Sequence, residues 1–184
     1  MDFERASVYF SLSLPIIFIA GLLIVLSQNP WFSFTKNALS DMGSIQNPVN
    51  YYFNGFLKVF ATISFVASIG ALRRGLSYLM PLAMVLLFLV GVFPEEYAPH
   101  APAAVFFYVL ALADIAIIGL KLGRSGLSAG YAWSVLAVLT FALMLYLVKA
   151  GIFKGIAIPE LIGAATILAW FTYIGLLQLK GFKL

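Results

Sequence analysis

The stretch GVFPEEYAPHAP, residues 91–102, holds two adjacent carboxylates and the only histidine of the chain. His100 next to Glu95 or Glu96 could serve as an acid or a base, because imidazole takes up and releases protons near neutral pH. Three prolines in the stretch restrict its shape and leave few backbone donors. We therefore expect this loop to hold Glu95 or His100 against another element.

A second polar group lies in the segment SFTKNALSDMG, residues 33–43. Asn37, Ser40 and Asp41 stand at positions i, i+3 and i+4, so a helix would place them on one face, with apolar residues on the other. The pattern predicts a short amphipathic helix lying along the membrane surface, as a lid over the mouth of a bundle. The alternative is that Ser40-Asp41-Met42-Gly43 is only the capped end of a helix.

These residues allow two kinds of chemistry at the mouth of the bundle. Ser40 could be a nucleophile served by His100 and Asp41, although no G-x-S-x-G sequence accompanies it. A classical zinc site usually needs more than one histidine, and the chain has no cysteine, so no metal is predicted and the cofactor stays unknown. A carboxylate-rich site of Asp41, Glu95 or Glu96 and His100 is the alternative.

The second apolar run begins with further polar residues, and the last run does so too. Asn54 and Lys58 are one helical turn apart, and we expect Lys58 to pair with Glu95, Glu96 or Glu160, because an unpaired charge inside a span is costly. Snorkelling of Lys58 to the interface is the alternative. For Glu160, its place in the first turn of a helix is explained by the helix dipole alone.

Asp114 is the carboxylate that lies deepest within an apolar run, in the sequence YVLALADIAIIGLKL. An intramembrane carboxylate is a candidate functional group by default. No second acid is expected at its depth, so we expect a structural role, with Asp114 bonded to a neighbour such as Ser64 or Ser68.

The composition places the whole chain in a membrane. Of its 184 residues, 63% are hydrophobic, and the mean hydropathy is +1.04. A water-soluble domain cannot cover so much apolar surface. Because backbone groups inside a bilayer must pair within their own segment, the spans are helices. The sequence predicts one all-α domain over residues 1–184, with six spans at 8–28, 51–71, 77–94, 102–121, 130–150 and 157–179.

The basic residues predict the orientation. Arg and Lys concentrate on the cytoplasmic side of membrane proteins. With a cytoplasmic N-terminus, seven basic residues face the cytoplasm and three face outside, which favours an integral protein of the cell membrane with both termini cytoplasmic. The first run lacks a basic flank and a cleavage pattern, so we expect it to be retained. The net charge of +4 is too small and dispersed to indicate nucleic acid.

Three separated motifs carry a resemblance to a known family. The sequences NALSDMG, NPVNYYFNGFL and GVFPEE…PHAPAAVFFY resemble the domain of unknown function 998 family of archaeal and bacterial six-span membrane proteins. The resemblance covers about residues 10–180 and implies that the three motifs meet in a six-helix bundle. On this chain the matching residues are Ser40, Asp41, Gly43, Asn54, Phe93, Pro94 and His100.

The chain is more loosely similar to the membrane hydrolases that include alkaline ceramidases and adiponectin-type receptors. Those proteins set a Ser and an Asp beside three zinc-binding histidines in seven spans, whereas this chain has one histidine and six predicted spans.

Together these observations predict a polar pocket at the outer membrane face above an apolar bundle. Such a pocket suits a membrane lipid, an isoprenoid or another hydrophobic small molecule, with hydrolase-like acid–base chemistry as one option. The alternatives are a non-enzymatic structural or partner subunit, whose polar cluster only braces the helices, and a small transporter. The sequence does not indicate an oligomeric state.

Overall fold

The computed structural model describes residues 2–184, and this part of the chain contains helices and no strand. A short 3₁₀ helix, η1, spans Leu39–Gly43. The six α-helices are α1 Phe3–Gln28, α2 Asn50–Arg73, α3 Met80–Val92, α4 His100–Arg124, α5 Ala129–Lys149 and α6 Ala157–Leu179. The prediction of an all-α membrane bundle is therefore confirmed.

Five of the helices are long and apolar enough to cross a membrane. The exception is α3, whose 13 residues extend about 20 Å against a hydrocarbon core of about 30 Å. The sequence predicted a helix from residue 77, but α3 begins at Met80. This start places Pro81 in the first turn, where its missing N–H is harmless.

The start of α3 is fixed by Asp114, which lies fully buried in α4. Its Oδ1 accepts hydrogen bonds from the backbone N–H groups of Tyr78 at 2.6 Å and Leu79 at 2.7 Å. The expectation of a structural role agrees with this contact, but the expected partners Ser64 and Ser68 are wrong. Asp114 instead takes the place of a helix cap for a neighbouring element.

Five helices surround a central cavity, and α5 lies outside them against α4 and α6. Small residues allow α5 to approach α4 closely, since a Cβ added at Gly119 would lie 2.7 Å from the carbonyl oxygen of Gly130. We call the end of the bundle that carries η1 and the first turns of α2, α4 and α6 the mouth end.

The segment between α1 and α2 is mostly non-helical, so the predicted helix over 33–43 is wrong except for η1. The reason is that the backbone at the start of α6 forms hydrogen bonds with the backbone of this segment. The carbonyl oxygens of Thr35 and Asn37 accept hydrogen bonds from Gly155 at 3.2 Å and Ala157 at 3.0 Å. Because these two carbonyl oxygens bind residues at the start of α6, they do not accept the i to i+4 hydrogen bonds that would continue a helix within residues 33–43.

Candidate functional site

A narrow cavity runs from the mouth end into the bundle. The centre of a water molecule could reach about 70 Å³ of it. Along α6 its lining extends from Glu160 to Phe171, a rise of about 16 Å at the helical repeat. The cavity is therefore about as deep as one leaflet of a bilayer is thick.

Aromatic and aliphatic side chains form nearly all of the wall. Phe18 of α1 packs against Phe56 and Phe60 of α2, with ring centroids 5.9 Å and 5.5 Å apart. The remaining apolar lining comes from the same helices, η1, α3, α4 and α6: Leu22, Leu39, Phe53, Leu57, Met84, Leu87, Val90, Ala104, Phe107, Ala164, Ile167, Leu168 and Phe171.

The polar lining groups are Ser40 of η1, His100 and Tyr108 of α4, and Glu160 in the first turn of α6. The Oε2 atom of Glu160 accepts the backbone N–H of Leu39 at 2.8 Å, which ties η1 to α6. The Tyr108 hydroxyl donates to the main-chain oxygen of Glu160 at 3.0 Å. Among the described residues, the other carboxylate oxygen of Glu160 has no hydrogen-bond partner.

His100 is 93% buried, since 7% of its surface is exposed, and one of its nitrogens remains available to the cavity. Its Nδ1 lies 2.6 Å from the carbonyl oxygen of Phe93. Because a carbonyl oxygen only accepts, Nδ1 carries the proton, and in the neutral ring Nε2 is an acceptor. Within residues 2–184, Nε2 has no hydrogen-bond partner. The proline-rich loop thus orients His100 through its own backbone.

The outward side of η1 is organised differently, because its polar side chains bond to one another. Asn37 donates to Asp41 at 2.8 Å, and Asn54 donates to the carbonyl oxygen of Gly43 at 2.9 Å. Asp41 and Glu95 line a separate open cleft on this side. The residues predicted to form one pocket therefore gather at one end of the bundle, but they divide between two faces of η1.

Glu95 and Glu96 are adjacent in the loop before α4, yet their surroundings act in opposite directions. Partial burial raises the pKa of Glu95, and the nearby Asp41 carboxyl raises it further, against the donating Ser40 hydroxyl. The Ser44 hydroxyl, a donor to Glu96, lowers the pKa of that exposed carboxyl. Glu96 therefore fastens the loop to the end of η1.

The expected ion pair of Lys58 is not formed. Within residues 2–184, Lys58 lies within 4 Å of no carboxylate, and the single ion pair joins Arg74 to Glu4 at 2.6 Å. Lys58 instead runs beside Gly91 of α3, where an added Cβ would lie 3.1 Å from its Cγ atom. Its half-buried position agrees with the snorkelling alternative.

The catalytic arrangement suggested for Ser40, Asp41 and His100 is not assembled in this structure. Among the described residues, no hydrogen bond joins any two of these side chains, because His100 is held by Phe93 and Asp41 by Asn37. Nor do the described residues include a group of three or more acidic, histidine or cysteine side chains that could hold a metal ion.

Sequence reasoning missed two buried asparagines and the tyrosine that braces α6. Asn47 donates to Asn29 Oδ1 and to the Met42 carbonyl oxygen, both at 2.8 Å, and closes the segment between α1 and α2. The signal was present, since both asparagines precede proline in turn sequences. Tyr108 gave no signal, because an aromatic residue in an apolar run is ordinary.

Comparison with known proteins gives one family. The model of a family described as "Protein of unknown function (DUF998)" matches residues 14–177. No curated protein matches the chain, and no solved structure matches it.

Proposed function

The chain belongs to the DUF998 family of proteins of unknown function, and from this premise we propose that it binds a single-chain membrane amphiphile. The hydrocarbon chain would occupy the central cavity, and the head group would lie at the mouth end beside Ser40, His100 and Glu160. Membrane lipid is thus both the surrounding solvent and the source of the ligand.

The observation that carries this proposal is the distribution of polarity along the cavity. Its lining extends about 16 Å along α6 and is apolar beyond Glu160, and its polar groups converge at one end. Ligand sites usually combine a mostly apolar wall with a few converging polar groups. A helix brace alone would leave no space between these groups, and space is present.

Acid–base catalysis on the bound amphiphile is a second candidate, favoured by the available Nε2 of His100. The same atom could accept a proton from a bound hydroxyl or water. Because Ser40 and Asp41 are not aligned with the imidazole, binding is the better supported function.

A cavity-filling substitution tests the proposal. We would purify the protein in a steroid-based detergent, which has no linear alkyl chain, and identify retained amphiphiles by native mass spectrometry. Ala164→Phe places a ring in the cavity and should abolish retention. The matched control is Ala113→Phe, which enlarges a residue of a peripheral groove between α4 and α5 and should leave retention unchanged.

Two results would reject amphiphile binding. One is that the wild-type protein retains no amphiphile and none binds when added. The other is that Ala164→Phe, still folded by circular dichroism, retains as much as the wild type, which would place the bound lipid outside the cavity.

The excess of basic residues on one side supports an orientation in the cell membrane with both termini cytoplasmic. It also supports six spans, with α3 and its non-helical flanks as the short span.

The chain has no cysteine, so a single cysteine introduced at residue 46 or at residue 183 would be the only thiol available for labelling. An impermeant thiol reagent on intact cells should label position 46 and spare position 183, and the reverse labelling would overturn this orientation.

A further inference from the structure

We infer that the cavity selects an amphiphile whose head group is a protonated primary amine. This inference rests on the proposed function and names the chemistry of the head group. The relevant observation is that hydrogen-bond acceptors converge at the mouth end of the cavity, and that the described residues lining it include no lysine or arginine.

Three acceptors face one end of the same cavity. They are the second carboxylate oxygen of Glu160, the Nε2 atom that His100 presents as an acceptor in its neutral form, and the hydroxyl oxygen of Ser40. The fourth polar group, Tyr108, already donates to the backbone. An ammonium group has three N–H donors and no acceptor, so it matches this set.

The ionisable groups at the mouth end also favour an ammonium head group. Asp41 and Glu95 lie within electrostatic range of Glu160. Among the described residues that line the cavity there is no lysine or arginine. Lys58, the nearest candidate from the sequence, pairs with none of these acids. A phosphate or carboxylate head group would meet a group of carboxyls with no lysine or arginine among the described lining residues, whereas an ammonium group would supply the cation that these carboxyls lack.

Matched single-chain compounds test this inference. Dodecylamine, dodecanol and dodecanoate have the same alkyl chain with a cationic, a neutral and an anionic head group. Their affinities would be measured by native mass spectrometry and by thermal stabilisation in the steroid-based detergent. We expect the amine to bind at least about tenfold more tightly than the alcohol, since hydrogen bonds to charged groups are the stronger ones. The carboxylate should bind most weakly.

Glu160→Gln is the decisive variant, because glutamine keeps an oxygen for the Leu39 N–H and removes the charge. The preference for the amine over the alcohol should then fall to about threefold or less, with alcohol binding retained. Asp41→Asn is the control, since it removes an equal charge on the outward side of η1 and should preserve most of the preference.

The outcomes separate the two proposals. If none of the three compounds binds, the proposed function fails. If all bind and the carboxylate equals or exceeds the amine, amphiphile binding stands and the head-group inference is wrong. The inference is also wrong if Glu160→Gln keeps the full preference. Ser40→Ala gives an independent check if Glu160→Gln does not fold, because loss of one acceptor should weaken the amine more than the alcohol.

Discussion

Two buried regions of the bundle each use a carboxylate to hold the backbone of another element. Glu160 at the mouth end accepts one N–H of η1, through one oxygen. Asp114, deeper in the bundle, accepts two N–H groups ahead of α3, through one oxygen. Around Glu160 there is a cavity, whereas Asp114 is fully enclosed by packed side chains.

The difference shows that an acid inside a membrane protein is not functional merely because it is there. Asp114 satisfies two donors through Oδ1, and its Oδ2 is buried without a hydrogen-bond partner among the described residues, so its unused oxygen faces no open space. Glu160 performs a similar structural task with half of its carboxylate and presents the other half to an open space. Space beside an unused acceptor, rather than depth in the membrane, distinguishes the candidate site.

Removing the two carboxylates should reveal this contrast most strongly in stability. Asp114→Ala leaves two N–H groups buried without an acceptor, and we expect a loss of about 3 kcal/mol or more in the free energy of unfolding. Glu160→Ala loses one bond at the edge of a cavity, where water can replace it, and should cost about 1 kcal/mol. Equilibrium unfolding in mixed micelles would measure both.

Ligand retention should depend on the two carboxylates in the opposite order. Asp114→Asn, which keeps an acceptor oxygen, should bind amphiphile like the wild type, whereas Glu160→Ala should not. Equal losses of stability, or a ligand defect in Asp114→Asn, would break the contrast between the two regions.

The contrast also marks how far the sequence alone can reach. The apolar run 157–179 predicted α6 with the observed bounds, because helical pairing within the bilayer depends on local sequence. The start of α3 was misplaced by three residues, because Asp114, which takes its N–H groups, is more than thirty residues away. Contacts of this kind have no local signature.

The same limit applies to the candidate site. Motif spacing brought residues 37–43, Asn54 and His100 to one end of the bundle. Motif spacing could not predict that Asn54 contacts Gly43 while His100 lines a cavity. That division depends on the hydrogen bonds between the start of α6 and the backbone of residues 35–37. The cavity arises from the packing of five helices and is visible only in three dimensions.

Asn54 and Ser40 sharpen the comparison at a smaller scale, since they lie on opposite sides of η1. Asn54→Ala removes the hydrogen bond to Gly43, and we expect a loss of about 1 kcal/mol in stability with unchanged ligand retention. Ser40→Ala should change stability by less than about 0.5 kcal/mol and weaken retention. Thermal unfolding and native mass spectrometry on both variants would measure the two effects. A loss of ligand retention in Asn54→Ala alone would place the bound ligand on the outward side of η1, and it would contradict binding in the cavity.

The smallest expected effects come from the pH dependence of Glu95 and Glu96. Glu95 has a raised pKa in the folded protein, so its charge opposes folding at neutral pH, and stability rises as the pH falls through the folded pKa toward 4.5. Glu95→Gln should therefore stabilise the protein at pH 7 and remove that rise.

Glu96 has a lowered pKa, so its contribution to stability is present above pH 4.5 and is lost as the pH falls below it. Glu96→Gln should destabilise the protein at pH 7 and have less effect at low pH. Melting temperatures across pH 3 to 8, in one detergent and at one salt concentration, would measure these opposite signs. The same sign for both variants would mean that the Asp41 carboxyl beside Glu95 and the Ser44 hydroxyl beside Glu96 do not set the pKa values of this loop.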